Sequence, residues 1–164
     1  MAVLATILAQ RAVELVVSRR NERRLLAAGG IRLPRDGFLP IAFVHATLYL
    51  TLPLEWFTAP WTGLGRHTGF ALALAALAMS LRYWAAWTLG RRYTVRVIRM
   101  PDVPLTRRGP YRWMRHPIYR AVVVEVCAVP LAFGAVATCV ALAILQGVVL
   151  SRRIRLEERH LRLA

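Results

Sequence analysis

Apolar runs near one bilayer thickness alternate with arginine-rich segments along this chain, and that alternation sets the expected architecture. The first run, residues 1–17, is followed by charge and closes on no small-residue cleavage site, so it reads as a retained helix and not a signal peptide. Gln10, Arg11 and Glu14 interrupt it. Arg11 and Glu14, at i and i+3, share a face turned inward, either as an ion pair at a helix contact or as the lining of a polar cavity. Residues 38–56 make a second span that holds Pro40, His45 and Pro53, with Glu55 at its far end. Residues 69–89 make a third, rich in Ala and Leu for close packing, with Tyr83, Trp84 and Trp87 as an interfacial belt and Arg82 expected to snorkel. The runs 118–131 and 133–150 are so close that they read as a hairpin, Pro117 opening the first helix and Pro130 ending it.

The expected fold is therefore all-α. It is a single integral membrane domain, 1–164, of about five helices near 1–27, 38–56, 69–89, 117–131 and 133–162, the last two forming a hairpin. A content of 57% hydrophobic residues is too high for an ordinary soluble domain of this length. The formal charge of +15 would suggest nucleic acid as the partner of a soluble protein. Here the arginines fill the gaps between apolar runs, so anionic lipid headgroups, anionic ligands and topology signalling explain them, and no nucleic-acid partner is expected. Segments 18–36 and 90–114 are strongly basic, whereas the link 57–68 carries little charge. Positive charge inside then gives an external N-terminus, two cytoplasmic basic segments, an outward link at 57–68 and a cytoplasmic C-terminus, in a bacterial-type inner membrane. Cys127 and Cys139 lie in apolar runs without His or Cys at ligand spacing, so neither a disulfide framework nor a metal site is indicated. Nothing in the pattern sets an oligomeric state.

The chemistry concentrates in two places. Residues 109–119, GPYRWMRHPIY, pack Tyr111, Trp113, His116 and Tyr119 among Arg112, Arg115 and Arg120, with Gly109-Pro110 turning the chain in. Upstream, Tyr93-Thr94-Val95 alternates like a short strand, and Pro101 and Pro104 forbid continuous helix. The second place is the terminal charged helix, where Arg153 with Glu157 and Glu158 with Arg162 fall at i, i+4 as candidate surface pairs. The hairpin brings that helix back beside Arg115 and His116. His45 is deep enough to be either a satisfied polar group between helices or a base. Glu125, about two turns inside an apolar helix, is expected to be paired or protonated, as a structural partner or a substrate contact.

Residues 89–119, LGRRYTVRVIRMPDVPLTRRGPYRWMRHPIY, followed by Glu125, Pro130-Leu131 and RIRLEERHL from Arg153, resemble the C-terminal half of the isoprenylcysteine carboxyl methyltransferase family. Related membrane reductases and phospholipid methyltransferases share runs like RHPxY, and the distal Glu157-Glu158 pair narrows the resemblance. It implies a membrane enzyme that moves a methyl group from S-adenosylmethionine to an oxygen of a lipophilic small-molecule acceptor, with its cofactor pocket facing the cytoplasm. By that resemblance Tyr111, Arg115, His116, Pro117, Tyr119 and Glu158 bind the cofactor, and Arg153, Glu157 and Glu158 complete the catalytic face and border the acceptor. His45 and Glu125 would line the acceptor's polar end. Arg11, Glu14, Ser18, Asn21, Gly29 and His45 resemble a bacterial branch, some members of which methylate alkylpyrone-type or alkylresorcinol-type lipids. Family members commonly continue after the two glutamates with an aromatic, basic tail, whereas this sequence ends at Ala164.

A sulfonium cofactor needs a cation for its carboxylate, hydrogen bonds for its ammonium and ribose, and an aromatic slot for adenine. Arg115 or Arg153, Glu157 or Glu158, and Tyr111, Trp113 and Tyr119 supply these. No GxGxxG follows a strand, so a soluble dinucleotide-type domain is not supported. His116, Glu157 and Glu158 are the available bases for a phenol or enol acceptor. A rival reading is an NADPH-dependent membrane reductase related to sterol reductases, against which two carboxylates beside a polyanionic cofactor argue. A second rival is a non-enzymatic membrane scaffold or transporter; against it, the ionisable residues gather on one face and no inverted repeat is visible.

Overall fold

The computed structural model describes residues 2–34, 36–58, 66–101 and 103–162. Five α-helices carry the fold: α1 (Ala2–Ala27), α2 (Phe38–Thr58), α3 (Arg66–Leu89), α4 (Pro117–Ala132) and α5 (Val136–Arg162). Two short strands, β1 (Ile31–Arg32) and β2 (Ile98–Arg99), and two 3-10 turns at Gly90–Arg92 and Gly109–Arg112 complete the described elements. Among the described residues α2, α3 and α5 are long and apolar enough to cross a bilayer. The 16 residues of α4 rise about 24 Å, short of a full core, and the ionisable Arg11 and Glu14 break the apolar run of α1. Large side chains such as Leu39, Phe43, Leu50, Phe70, Leu77 and Ile144 face outward, as a lipid-facing surface requires.

Helix α3 packs along α4, α4 against α5, and α5 against α2. The core between them is built by Val44, Leu48 and Leu52 of α2, Ala75 of α3, Val122, Val126 and Val129 of α4, Leu142 of α5 and Ile7 of α1. The approach of α3 to α4 rests on a stripe of buried alanines, Ala71, Ala75, Ala78 and Ala85, at alternating spacings of four, three and seven residues.

Arg82 occupies the vacant step of that stripe, between Ala78 and Ala85. It does not snorkel, because the register points it inward: its guanidinium pairs with Glu14 of α1 and, through Nη1 at 2.9 Å, with Glu125 of α4. Arg11 reaches the same two carboxylates, at 3.0 Å to Glu14 and 2.5 Å to Glu125. Two cations and two anions thus alternate in a neutral ring joining α1, α3 and α4, which is how charge persists at depth without water.

Helix ends follow local rules. Gly29 (φ 86°) ends α1 with Gly30 N–H bonded to Leu25 O at 2.9 Å, and Gly134 (φ 72°) ends α4 with Ala135 N–H bonded to Pro130 O at 2.9 Å. Pro130 therefore does not end α4. It sits two residues inside the helix end at Ala132, and the glycine in the left-handed conformation makes the stop. At the far end of the bundle Glu55 receives the first free amides of α5, Ala137 N–H at 3.3 Å and Thr138 N–H at 2.9 Å.

The two arginine-rich segments meet at the opposite end. There β1 and β2 pair antiparallel, Ile31 with Arg99 and Arg32 with Ile98. The strand falls at Ile98–Arg99 and not at Tyr93-Thr94-Val95, because side chains from α1 and α5 take the backbone groups of residues 93–95 before another strand can. Arg35 and residues 59–65 of the outward link lie outside the described residues. The positive-inside rule predicts a cytoplasmic β1–β2 end, an orientation that labelling tests. In a Cys127→Ala, Cys139→Ala background, single cysteines at Arg107 or Arg159 are expected to resist a membrane-impermeant maleimide in sealed cells while one at His67 reacts. Labelling at either arginine position would overturn the orientation.

Candidate functional site

The site begins with a close approach. Gly109 has φ 54° and lies against the Thr88 side chain, where a Cβ would collide, so the residue is held to glycine by both backbone and space. That contact seats the 3-10 turn Gly109–Arg112 on the end of α3 and buries Pro110. The chain then turns at His116 and enters α4 at the buried Pro117, whose missing N–H would have had no helical partner there. His116 and Tyr119 emerge on one side and stack, ring centroids 5.3 Å apart at 14°.

Helix α5 brings the other half. Arg153, 6% exposed, donates from Nε to Tyr119 Oη at 2.9 Å and from Nη2 to Val95 O at 2.5 Å. Tyr119 Oη in turn donates to Glu157 Oε2 at 2.6 Å. Arg153 and Glu157 thus meet through the tyrosine hydroxyl and not as the direct i, i+4 pair expected from spacing. The Arg162 side chain, expected partner of Glu158, lies outside the described ones. Glu158 instead faces His116 Nε2 at 3.4 Å and Arg115 Nη1 at 3.8 Å. Tyr111 is half-buried beside them; burial first, then the nearby Glu157 and Tyr93, push its phenol above the ordinary value, so it stays a neutral donor.

Tyr111, Arg115, His116, Pro117, Tyr119, Arg153, Glu157 and Glu158 therefore come from two segments about forty residues apart and sit around one end of the α4–α5 hairpin. They differ in how firmly they are held. Arg115 has 81% of its side chain exposed, while Arg153 is locked at both edges. Trp113 turns away, 67% exposed and 5.8 Å from the Trp84 ring. His45 and Glu125 are not part of this group. His45 bonds Ile41 O through Nδ1 and, with Arg11, Tyr49 and Glu125, borders a cavity of ≈20 Å³ inside the bundle, where Glu125 is held by the ion-pair ring.

Sequence reasoning passed over one buried carrier of this end. Asp36, 3% exposed, accepts from Phe38 N–H at 3.2 Å at the start of α2, from Arg96 Nη1 at 3.0 Å and from Val97 N–H at 3.3 Å. Its place two residues before an apolar run was the available signal. Gly37 (φ 75°) follows, leaving room for the stem of Arg153. From there an open apolar groove of ≈670 Å³ runs along the bundle between α2 and α5, lined by Leu39, Phe43 and Ala46 on one side and Leu145 and Val149 on the other. Val149 stands one helical turn from Arg153.

The profile of the isoprenylcysteine carboxyl methyltransferase family matches residues 71–163, which include this whole cluster. An uncharacterised protein of Bacillus subtilis (strain 168), YpbQ, is 32% identical over 161 residues, covering 96% of this chain and 94% of its own length. An uncharacterised protein of Haemophilus influenzae is 26% identical over 117 residues, 70% of this chain and 66% of its own. No solved structure matches the chain.

Proposed function

Because the chain belongs to the isoprenylcysteine carboxyl methyltransferase family, and so is a membrane methyltransferase, we propose that it transfers a methyl group from S-adenosylmethionine to an oxygen of a lipophilic acceptor at the cytoplasmic face. The observation that carries the reading is the Arg153–Tyr119–Glu157 chain beside His116–Glu158, at the mouth of an apolar groove. The donor set suits the cofactor. Glu158 and Glu157 offer carboxylates to an ammonium and a ribose diol, Arg115 offers a mobile cation to a carboxylate, and Tyr111 borders a slot for the base. When bound, S-adenosylmethionine supplies a sulfonium methyl. The chain's own task is alignment and exclusion of water. An acceptor carboxylate needs no base, and the proton of a phenol or enol passes to the His116–Glu158 pair.

The acceptor is an amphiphile with its oxygen beside Arg153 and its tail in the α2–α5 groove, which opens sideways to lipid. Alkylpyrone-type and alkylresorcinol-type lipids fit this description, as does a prenylcysteine. The first test is equilibrium binding of S-adenosylmethionine and of NADPH to purified protein; binding of NADPH alone would replace this reading with a reductase. The second is turnover of an alkylpyrone series of graded tail length with labelled S-adenosylmethionine. Catalytic efficiency is expected to fall by about 0.8 kcal/mol, roughly fourfold, for each methylene removed. Equal turnover of tailless and long-tailed acceptors would remove the groove from the mechanism.

A further inference from the structure

We propose that Ser18 and Asn21 of α1 are positioning residues for Arg153, acting through the backbone of residues 90–95. The relay itself stands on geometry; its consequence for the cofactor rests on the reading above.

Val95 is the junction. A peptide unit has one N–H donor and one carbonyl, and both groups of Val95 go to side chains from opposite ends of the chain. Its N–H donates to Ser18 Oγ at 2.8 Å, and its carbonyl accepts from Arg153 Nη2 at 2.5 Å. Ser18 is 0% exposed, so its hydroxyl belongs to this bond and not to solvent. Asn21 lies three residues on, on the same helix face, 5% exposed, and its Nδ2 donates to Gly90 O at 3.1 Å and to Tyr93 O at 2.9 Å. A single turn of α1 therefore holds the loop at both ends.

The consequence falls on Arg153. If Val95 moves, Nη2 loses its acceptor in a nearly buried place, the guanidinium rotates to find another, and Nε leaves Tyr119 Oη. Tyr119 is then no longer fixed as the donor to Glu157. Ser18 and Asn21 lie outside the segment that the family profile covers, so a site contained in residues 71–163 is set by side chains upstream of it.

The test uses full-length protein in detergent with ¹⁵N-labelled arginine. The Nε–H resonance of Arg153, identified by its loss in Arg153→Lys, is expected to be sharp in the wild type and in Ser18→Thr, which keeps the hydroxyl. It is expected to broaden or vanish in Ser18→Ala and in Asn21→Ala. Affinity for S-adenosylmethionine is expected to fall about tenfold in both alanine variants and to recover in Ser18→Thr, the scale of one hydrogen bond near a charge. A role confined to stability would lower the melting temperature and leave the resonance unmoved, and that result would overturn the relay. If Ser18→Ala does not fold, Asn21→Ala decides by the same readouts. If the wild type binds no S-adenosylmethionine, the cofactor reading fails while the resonance still decides the relay.

Discussion

Arg82→Met is expected to leave little folded protein. The substitution keeps an apolar stem on the α3 stripe but removes the guanidinium that joins Glu14 of α1 to Glu125 of α4. The side chains concerned are 8%, 13% and 7% exposed, so water does not screen what remains. Both carboxylates then share Arg11, and one negative charge is uncompensated at membrane depth. Breaking a buried pair in this way costs about 3–5 kcal/mol. That is a large part of the roughly 5–15 kcal/mol that holds a domain folded. Adding Glu14→Gln to Arg82→Met restores a one-to-one balance, Arg11 with Glu125, and is expected to recover most of the loss, so the two changes are strongly non-additive. Monodisperse yield and melting temperature in detergent read both variants. A single variant that melts with the wild type would mean that the ring does not fasten α1.

The ring was half legible in the sequence. Arg11 and Glu14 announce themselves as charges in an apolar run, and Glu125 as a carboxylate that must be either paired or protonated. Arg82 lies near the end of its helix, where snorkelling is the usual outcome, and only its register with Ala71, Ala75, Ala78 and Ala85 shows that it faces inward. Alanine is apolar enough to sit on any face of a membrane helix, so a small-residue stripe marks a packing face weakly until the partner helix is known. The helices themselves were easier, because about twenty apolar residues between charged segments admit few structures in lipid. The end of α4 was placed to within one residue and only its cause was misassigned: the carbonyl of Pro130 accepts the closing bond made possible by Gly134.

At the candidate site, the approach of 109–119 to 153–158 was legible, because the hairpin was enough to bring the two segments together. What joins them was not. Val95 contributes backbone atoms, for which side-chain identity carries no signal, and Ser18, Asn21 and Asp36 act on that backbone from α1 and from the start of α2. A serine or asparagine on a helix near a basic segment has too many ordinary uses for its partner to be named from sequence.

Arg153→Lys is expected to weaken S-adenosylmethionine binding nearly as much as Arg153→Ala, by about a hundredfold. Lysine keeps the charge but cannot place two donors at fixed angles, and Arg153 uses two of its edges at once, Nε on Tyr119 and Nη2 on Val95. Losing both charge-assisted bonds forfeits about 3 kcal/mol of organisation, which the cofactor must supply on binding. Tyr119→Phe removes the hydroxyl common to Arg153 and Glu157 and is expected to fall in the same range. Arg115→Ala is the contrast. Its side chain is 81% exposed and stands 3.8 Å from Glu158, so its loss is expected to cost no more than about fivefold, as for an exposed ion pair. Calorimetric titration of the four variants reads the order directly. If Arg115→Ala is the most impaired and Arg153→Lys binds like the wild type, the cofactor is held by the exposed arginine and the buried chain is scaffolding.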